Sequence, residues 1–289
     1  MNTLSETDLD AYSASLRQPD SRAELVARSD LPAATAALWL DAICNEAQTG
    51  LRLLKWAGLL PSHRVLEVGA GGGLLSGFLQ SRGVNLVAIE PTGDGFEVTP
   101  KLAELVRDAT GVSADILPLS AQELEPRKHG LFDFTFSVNV IEHFQPMNEN
   151  LDALARVMSH RGIQAHTCAN YHVPYEPHFG IPLLPLVPHL TPSIGRWRSR
   201  NVWRSLNFIT ATDLQAYAER FGLTISFKQG TLGEALERLC SEPAFAARHP
   251  TILYGAARAM KAAGLIGLLK KLPPTWVTPM TVTLRRLAS

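Results

Sequence analysis

The segment Arg64–Gly73, RVLEVGAGGG, constrains this chain more than any other stretch. A short β-branched run ends in a glycine-rich turn. A helical pattern of Leu74, Leu75, Phe78 and Leu79 follows at once. Such a strand–turn–helix unit lets the backbone come close to a ligand, because glycine carries no side chain to keep it away. A second apolar run, Val84–Ile89, ends on the carboxylate of Glu90. Glu90 stands about 20 positions after Gly69, the separation at which an acidic side chain reaches a ribose hydroxyl pair in nucleotide-binding βαβ units.

The turn does not suit a dinucleotide. G-x-G-x-x-G needs a third glycine, and counting from Gly69 or from Gly71 places Leu74 or Ser76 there. The chain reads E-x-G-x-G-x-G instead, with Glu67 inside the end of the strand. Downstream, FDFTFSVNVIEHF over Phe132–Phe144 and LSAQEL over Leu119–Leu124 follow in order. Together these segments resemble the class I S-adenosylmethionine-dependent methyltransferases, of type 11/12. The likeness is close over residues 60–170 and holds only in outline elsewhere.

That resemblance implies S-adenosylmethionine as cofactor. It implies cofactor contacts from Glu67, Gly69, Ala70, Gly71, Gly73, Glu90 and Pro91. It adds Ser120, Ala121 and Gln122 around the adenine, and Ser137 and Asn139 after the fourth strand. Ser120 stands where the family usually carries an acidic residue, so adenine contact is expected from the Ala121 backbone and from Ser120 or Gln122.

Strand and helix patterns alternate through the middle of the chain, which implies a mostly parallel sheet. Strands are expected near 64–68, 84–90, 115–119, 132–138 and 162–168, with later ones at 225–228 and 280–284. Helices are expected near 73–81, 100–109, 147–160 and 210–221. The fold class is therefore α/β, a Rossmann-like doubly wound sheet of seven strands. The resemblance makes the last strand antiparallel.

Residues 1–60 form an N-terminal helical segment in this reading. Residues 1–30 are polar and loosely helical, and Asp30-Leu31-Pro32 caps a helix running to about Trp56. Residues 61–289 form the cofactor-binding domain, with insertions at about 170–204 and 232–275. The first insertion holds six prolines, a density that excludes regular helix and strand. The second reads as two helices, the later spanning Ile252–Leu272.

Methyl transfer from a sulfonium expels a neutral leaving group, so alignment of the acceptor dominates. A hydroxyl acceptor also calls for a general base. His143, just past the fourth strand, and His178, within the YHVPYEPHFG segment that opens the proline-rich loop, are the candidates. Tyr171 joins them as a third catalytic candidate. Some members of the family hold a divalent cation with Glu-x-x-Glu-His. Here the first carboxylate is replaced by Asn139, ahead of Glu142 and His143. No metal is expected, since that set is poor unless the loop adds His178 or Glu176.

Lysine plus arginine equals aspartate plus glutamate at 27 each, so no global basic excess points to nucleic acid. A local cluster does occur at Arg196–Arg200. The three cysteines are widely spaced, which suggests neither disulfides nor zinc. The polar, acidic start and the lack of a membrane-length apolar run suggest a cytoplasmic protein. Residues 252–272 pair an apolar side with a basic side and read as a cap helix, a homodimer face or a peripheral membrane contact.

The expected activity is methyl transfer, at oxygen, to a small-molecule, glycan or lipid-linked acceptor. A catalytically inactive cofactor-binding partner subunit is the alternative. A nicotinamide oxidoreductase lacks its third glycine.

Overall fold

In a computed structural model, residues 4–29, 31–91, 99–185, 187–194, 201–246 and 251–286 are described. The strands are β1 Arg64–Val68, β2 Asn85–Ile89, β3 Ile116–Leu117, β4 Phe132–Val138 and β5 Met158–Cys168. They continue with β6 Tyr175–Glu176, β7 Ile181–Pro182, β8 Leu223–Phe227 and β9 Met280–Arg286. Seven of them form one sheet in the order β3-β2-β1-β4-β5-β9-β8, and β6–β7 is a separate antiparallel hairpin. β1, β2, β3, β4 and β5 pair in parallel. β9 runs antiparallel to both β5 and β8.

The winding reverses between β1 and β4. From β1 the chain moves outward to β2 and β3, then returns to lay β4 on the opposite side of β1. The loops leaving β1 and β4 therefore diverge, opening the crevice in which α/β sheets bind ligands.

Alternation along the strands builds two apolar layers. Val65, Phe134, Phe136, Ile163 and Ala165 face the helices Ala33–Ala57 and Leu74–Ser81. Leu66, Val68, Cys168, Val282 and Leu284 face Met147–Arg156 and Ala211–Arg220. Gly50 lets the long N-terminal helix approach closely, because a Cβ there would lie 2.4 Å from Leu75 Cδ2. That helix stops at Gly58, whose φ of 81° is left-handed.

Several boundaries differ from the sequence reading. Residues 6–28 are firmly packed: helices Glu6–Tyr12, Ala14–Arg17 and Pro19–Arg28 bury Leu9, Leu16 and Leu25 in the first apolar layer. Polar composition hid one leucine per helix, which is enough to dock each of these short pieces. The long helix begins at Ala33 after Pro32, while Asp30 lies outside the described residues. β5 starts four residues earlier than expected, where Ser159 Oγ donates to Asp133 Oδ1 at 2.8 Å.

The proline-rich insertion is not irregular throughout. It holds the β6–β7 hairpin, a 3-10 segment at Pro188–Ile194 and the helix Asn201–Ser205. Ala169, Tyr171, Leu183, Trp203 and Leu206 give it a small apolar core of its own. Arg196–Arg200 falls outside the described residues. The helix expected over Ile252–Leu272 divides into Thr251–Ala262 and Ile266–Leu269, because Gly264 takes a φ of 70°. No described helix is long and apolar enough to cross a membrane.

If the N-terminal helices belong to the main core, Leu16→Ala should destabilise the whole protein by about 2–5 kcal/mol, as buried leucine truncations do. Urea unfolding followed by circular dichroism measures this. A loss of only a few tenths would mean the segment is an appendage.

Candidate functional site

The turn after β1 is held by backbone. The Gly69 and Ala70 N–H groups both donate to Ile89 O, at 2.9 and 3.0 Å. Gly69 (φ 74°) has no room for a side chain, since its Cβ would meet Val140 Cγ2 at 2.3 Å. Gly71 (φ 53°) differs in kind: nothing lies within 4 Å of where its Cβ would be. One glycine permits the packing of β1's loop on β4's loop, and the other leaves an open approach to the backbone.

Glu90 projects into this opening, and its Oε2 accepts the Gly71 N–H at 3.0 Å. Burial pushes the Glu90 carboxyl up to about 7 despite that bond. Glu67 is buried below the turn, accepts Ser76 Oγ–H, and is pushed by burial to about 8. A cavity of about 290 Å³ opens beside them, lined by Gly71, Gly73, Glu90, Pro91, Thr99 and Ala114 among others. Gly71, Gly73, Glu90 and Pro91 are thus gathered at one hollow.

Ser120, Ala121, Gln122, Ser137 and Asn139 are not among the residues that line that hollow. Ser120 N–H and Oγ–H both donate to Glu123 Oε2, at 2.7 and 2.6 Å, in a capping box. Its hydroxyl is thereby committed locally rather than held out toward a base. Ala121 is buried in the second apolar layer, and Gln122 is exposed with its N–H on Asn150 Oδ1. Ser137 is completely buried and hydrogen-bonds His166 Nδ1 at 2.7 Å, so its side chain does not reach the crevice. The alternation of β4 explains this, because Ser137 points into the sheet's second face with Thr135. Asn139 is exposed, in a left-handed conformation (φ 55°), where β4 gives way to the next turn.

That turn, the 3-10 segment Ile141–His143, carries a second constellation. Asn207 clamps it from the far end of the insertion. Asn207 N–H donates to Glu142 O at 2.9 Å, and Asn207 Nδ2 donates to Ile141 O and Phe144 O at 2.7 and 3.1 Å. Glu142, His143 and His178 each bring one ligand-capable atom within 4.8 Å of the others. The two imidazole rings stand edge to face, 5.1 Å apart.

Both histidines are oriented through Nδ1. His178 Nδ1 is 2.6 Å from Glu176 Oε1, and the Glu176 carboxylate is wholly buried. Glu176 also accepts the Phe179 N–H at 2.8 Å and the Tyr171 hydroxyl at 3.2 Å. His143 Nδ1 is 2.8 Å from Ser205 Oγ, whose own proton goes to Val202 O. The serine oxygen is therefore the acceptor and His143 Nδ1 the donor. In the neutral form of each ring Nε2 is then the acceptor.

Their affinities for a proton differ. Burial, with the neighbouring His178, lowers His143 to about 3 and keeps it neutral. Burial also opposes protonation of His178, but the hydrogen bond and charge of Glu176, with Glu142 and Glu46, raise it above the ordinary imidazole value. Glu142 is pushed to about 7 by burial, partly offset by His178. Its Oε2 is buried without a hydrogen-bond partner among the described residues. Burial, then Glu176, push the Tyr171 hydroxyl far above its usual range, so Tyr171 stays protonated and acts as a donor.

Sequence reading brought out His143, His178 and Tyr171. It did not reveal Ser205 or Asn207, which occupy no motif, nor Glu46, whose charge bears on Glu90, Glu142 and His178 together. Glu46 is exposed on the long N-terminal helix, at the margin of the face that buries Ile43 and Ala47.

A family model described as a methyltransferase domain matches residues 39–226. An uncharacterized protein of Mycobacterium tuberculosis is 33% identical over 232 residues, 77% of this chain and 78% of its own. A ubiquinone biosynthesis O-methyltransferase of Rhodopseudomonas palustris is 23% identical over 190 residues, 66% of this chain and 68% of its own. Among solved structures, the phosphoethanolamine N-methyltransferase 2 of Haemonchus contortus, in complex with S-adenosyl-L-methionine, is 17% identical. It aligns with a TM-score of 0.47 over 82% of this chain and 51% of that one, so the present chain spans about half its length.

A raised carboxyl binds its proton more tightly in the folded than in the unfolded state. Stability from Glu67 is therefore full below the ordinary glutamate range and falls as pH rises toward 8. Glu67→Gln should flatten the decline in unfolding free energy between these limits, measured by urea titration at several pH values. A decline of equal slope in the variant would assign it to other groups.

Proposed function

The chain belongs to the class I S-adenosylmethionine-dependent methyltransferase family, with S-adenosylmethionine as its cofactor, and from that membership we propose that it methylates an oxygen of its acceptor. The acceptor class proposed is a small molecule, glycan or lipid-linked hydroxyl compound. The observation that carries this reading is the oriented cluster of Glu142, His143 and His178 beside the crevice. An amine acceptor needs no such base once it is neutral, whereas a hydroxyl must lose its proton as it attacks. The relationship to a ubiquinone biosynthesis O-methyltransferase supports the same choice.

Bound S-adenosylmethionine would supply the methyl group and leave as a neutral thioether, its sulfur keeping the S–C electron pair as the acceptor's O–C bond forms. The acceptor's proton passes to His178 Nε2, while Glu176 holds Nδ1–H and stabilises the resulting cation. Tyr171 is a positioning residue, acting through Glu176. On the cofactor side, the Gly71 backbone and Glu90 receive the ribose hydroxyls. Glu67 organises the turn from beneath.

A specific observation favours a second reading of the same cluster. Each imidazole is oriented through Nδ1 and presents Nε2, as metal-binding histidines do, and a buried carboxylate oxygen lies beside them without a partner. Glu142, His143 and His178 would then hold a divalent cation, which supplies Lewis acidity to the acceptor oxygen. With Asn139 in place of the first carboxylate, such a site needs a ligand from the loop, and His178 stands within reach.

Gly71→Val should cut S-adenosylhomocysteine affinity at least tenfold by filling the open approach, as read by calorimetry. Unchanged affinity would remove this turn from the cofactor site. Turnover is followed by transfer of labelled methyl from S-adenosylmethionine into a metabolite extract. His178→Ala should lower it by about 10²-fold or more while leaving S-adenosylhomocysteine affinity nearly unchanged. Insensitivity to a chelator favours the base. Loss with a chelator and recovery with magnesium favours the cation. Normal turnover in His178→Ala with chelator present would defeat both, as an inactive partner subunit would by giving none in the wild type.

A further inference from the structure

Charge is distributed unevenly along this neutral chain. After Glu242 there is no aspartate or glutamate through residue 289, while seven arginines and lysines occur. Three of the seven are occupied within the fold. Arg285 donates to Ala57 O, Arg286 donates to Ala155 O, and Lys270 pairs with Glu237 at 2.7 Å. Arg258, Lys261 and Lys271 are exposed. Among the described residues, Lys261 and Lys271 have no ion-pair partner.

The same stretch exposes large apolar side chains. Ile252, Leu265, Leu268, Leu272 and Trp276 are 78, 46, 63, 38 and 68% accessible. Five of the twelve exposed large hydrophobics among the described residues thus fall between 252 and 276. Leu265, Leu268 and Leu272 follow one another at steps of three and four, the spacing that puts side chains on one side of a helical turn. Ile266, between them, is buried and anchors the turn to the body of the protein. Apolar groups projecting from a cationic segment that carries no carboxylate of its own match the two halves of an anionic bilayer interface, acyl region and headgroup.

We propose that residues 251–276 form a docking surface for an anionic phospholipid bilayer. Leu265, Leu268, Leu272 and Trp276 enter the interface, and Lys261, Lys271 and Arg258 meet the headgroups. A second copy of the chain fits the face less well, because a two-fold contact would set these cations against each other with no carboxylate from either copy's 251–276 segment between them. Nucleic acid would leave the leucines unused. The surface also adjoins the site. Asn170, the first residue of the proline-rich insertion, donates from Nδ2 to Thr275 O and Val277 O at 2.8 and 3.1 Å. The end of the docking surface is therefore tied to the loop that carries Glu176 and His178. A membrane-borne acceptor would arrive beside them. The docking itself does not rest on the catalytic reading.

The test is co-sedimentation of the full chain with vesicles of phosphatidylcholine alone and of equal phosphatidylcholine and phosphatidylglycerol, without cofactor. Binding is expected only to the anionic vesicles, and high salt should release it. The double variant Lys261→Gln/Lys271→Gln should weaken binding by about 25-fold, about fivefold per lysine. Leu268→Ser/Trp276→Ser should weaken it at least tenfold, by about the transfer energy of the exposed side chains. Both should keep the wild-type circular dichroism and S-adenosylhomocysteine affinity. No binding to anionic vesicles overturns the proposal, and so does undiminished binding in both variants. Dimerisation in sedimentation velocity that the leucine and tryptophan changes abolish, with no vesicle binding, would reassign the face to a second copy.

Discussion

The contact on which this molecule turns is the approach of Gly69 to Val140. It brings the loop leaving β1 against the loop leaving β4, with no room for even one methyl group. Because β1 and β4 are neighbours where the winding reverses, that contact sets the distance between the two functional regions. On one side lies the glycine turn with Glu90. On the other lies the Ile141–His143 segment with its histidine and carboxylate. A side chain at position 69 would force these loops apart and disturb both regions at once.

Four carboxylates around this junction are removed from water, and each is managed differently. Glu67 has Ser76, Glu90 has the Gly71 N–H, and Glu176 has His178 with a tyrosine and a backbone donor. Glu142 keeps one oxygen without a partner among the described residues. Burying such a group costs stability unless something supplies the missing interaction. The imbalance therefore singles out Glu142 as the place where a bound cation or a polar acceptor would bring the largest gain.

The sheet was legible because its strands are short apolar runs bounded by glycine and polar turns, and because the E-x-G-x-G-x-G turn has little use outside a wound sheet. β1 and β4 match their expected limits residue for residue. The N-terminal helices were harder to read, since each docks through a single leucine that leaves no periodic pattern. The meeting of His178 with Glu142 and His143 was foreseeable only as a condition. It depends on a hairpin two residues wide and on Asn207, a lone polar residue about 65 positions beyond the turn that it clamps. Ser137 is a different case. Its place in a family motif suggested a ligand contact, while the two-residue period of the strand turns its hydroxyl inward to His166.

The insertion after β5 packs Tyr171, Leu183, Trp203 and Leu206 into a core of its own. Its solvent-facing positions can therefore change without loosening the central sheet, and the sheet can mutate without reshaping the mouth of the crevice. Evolution can retune what such an enzyme accepts by editing one self-supporting module. Relatives of this architecture would then diverge in their choice of acceptor long before they diverge in how they hold the cofactor.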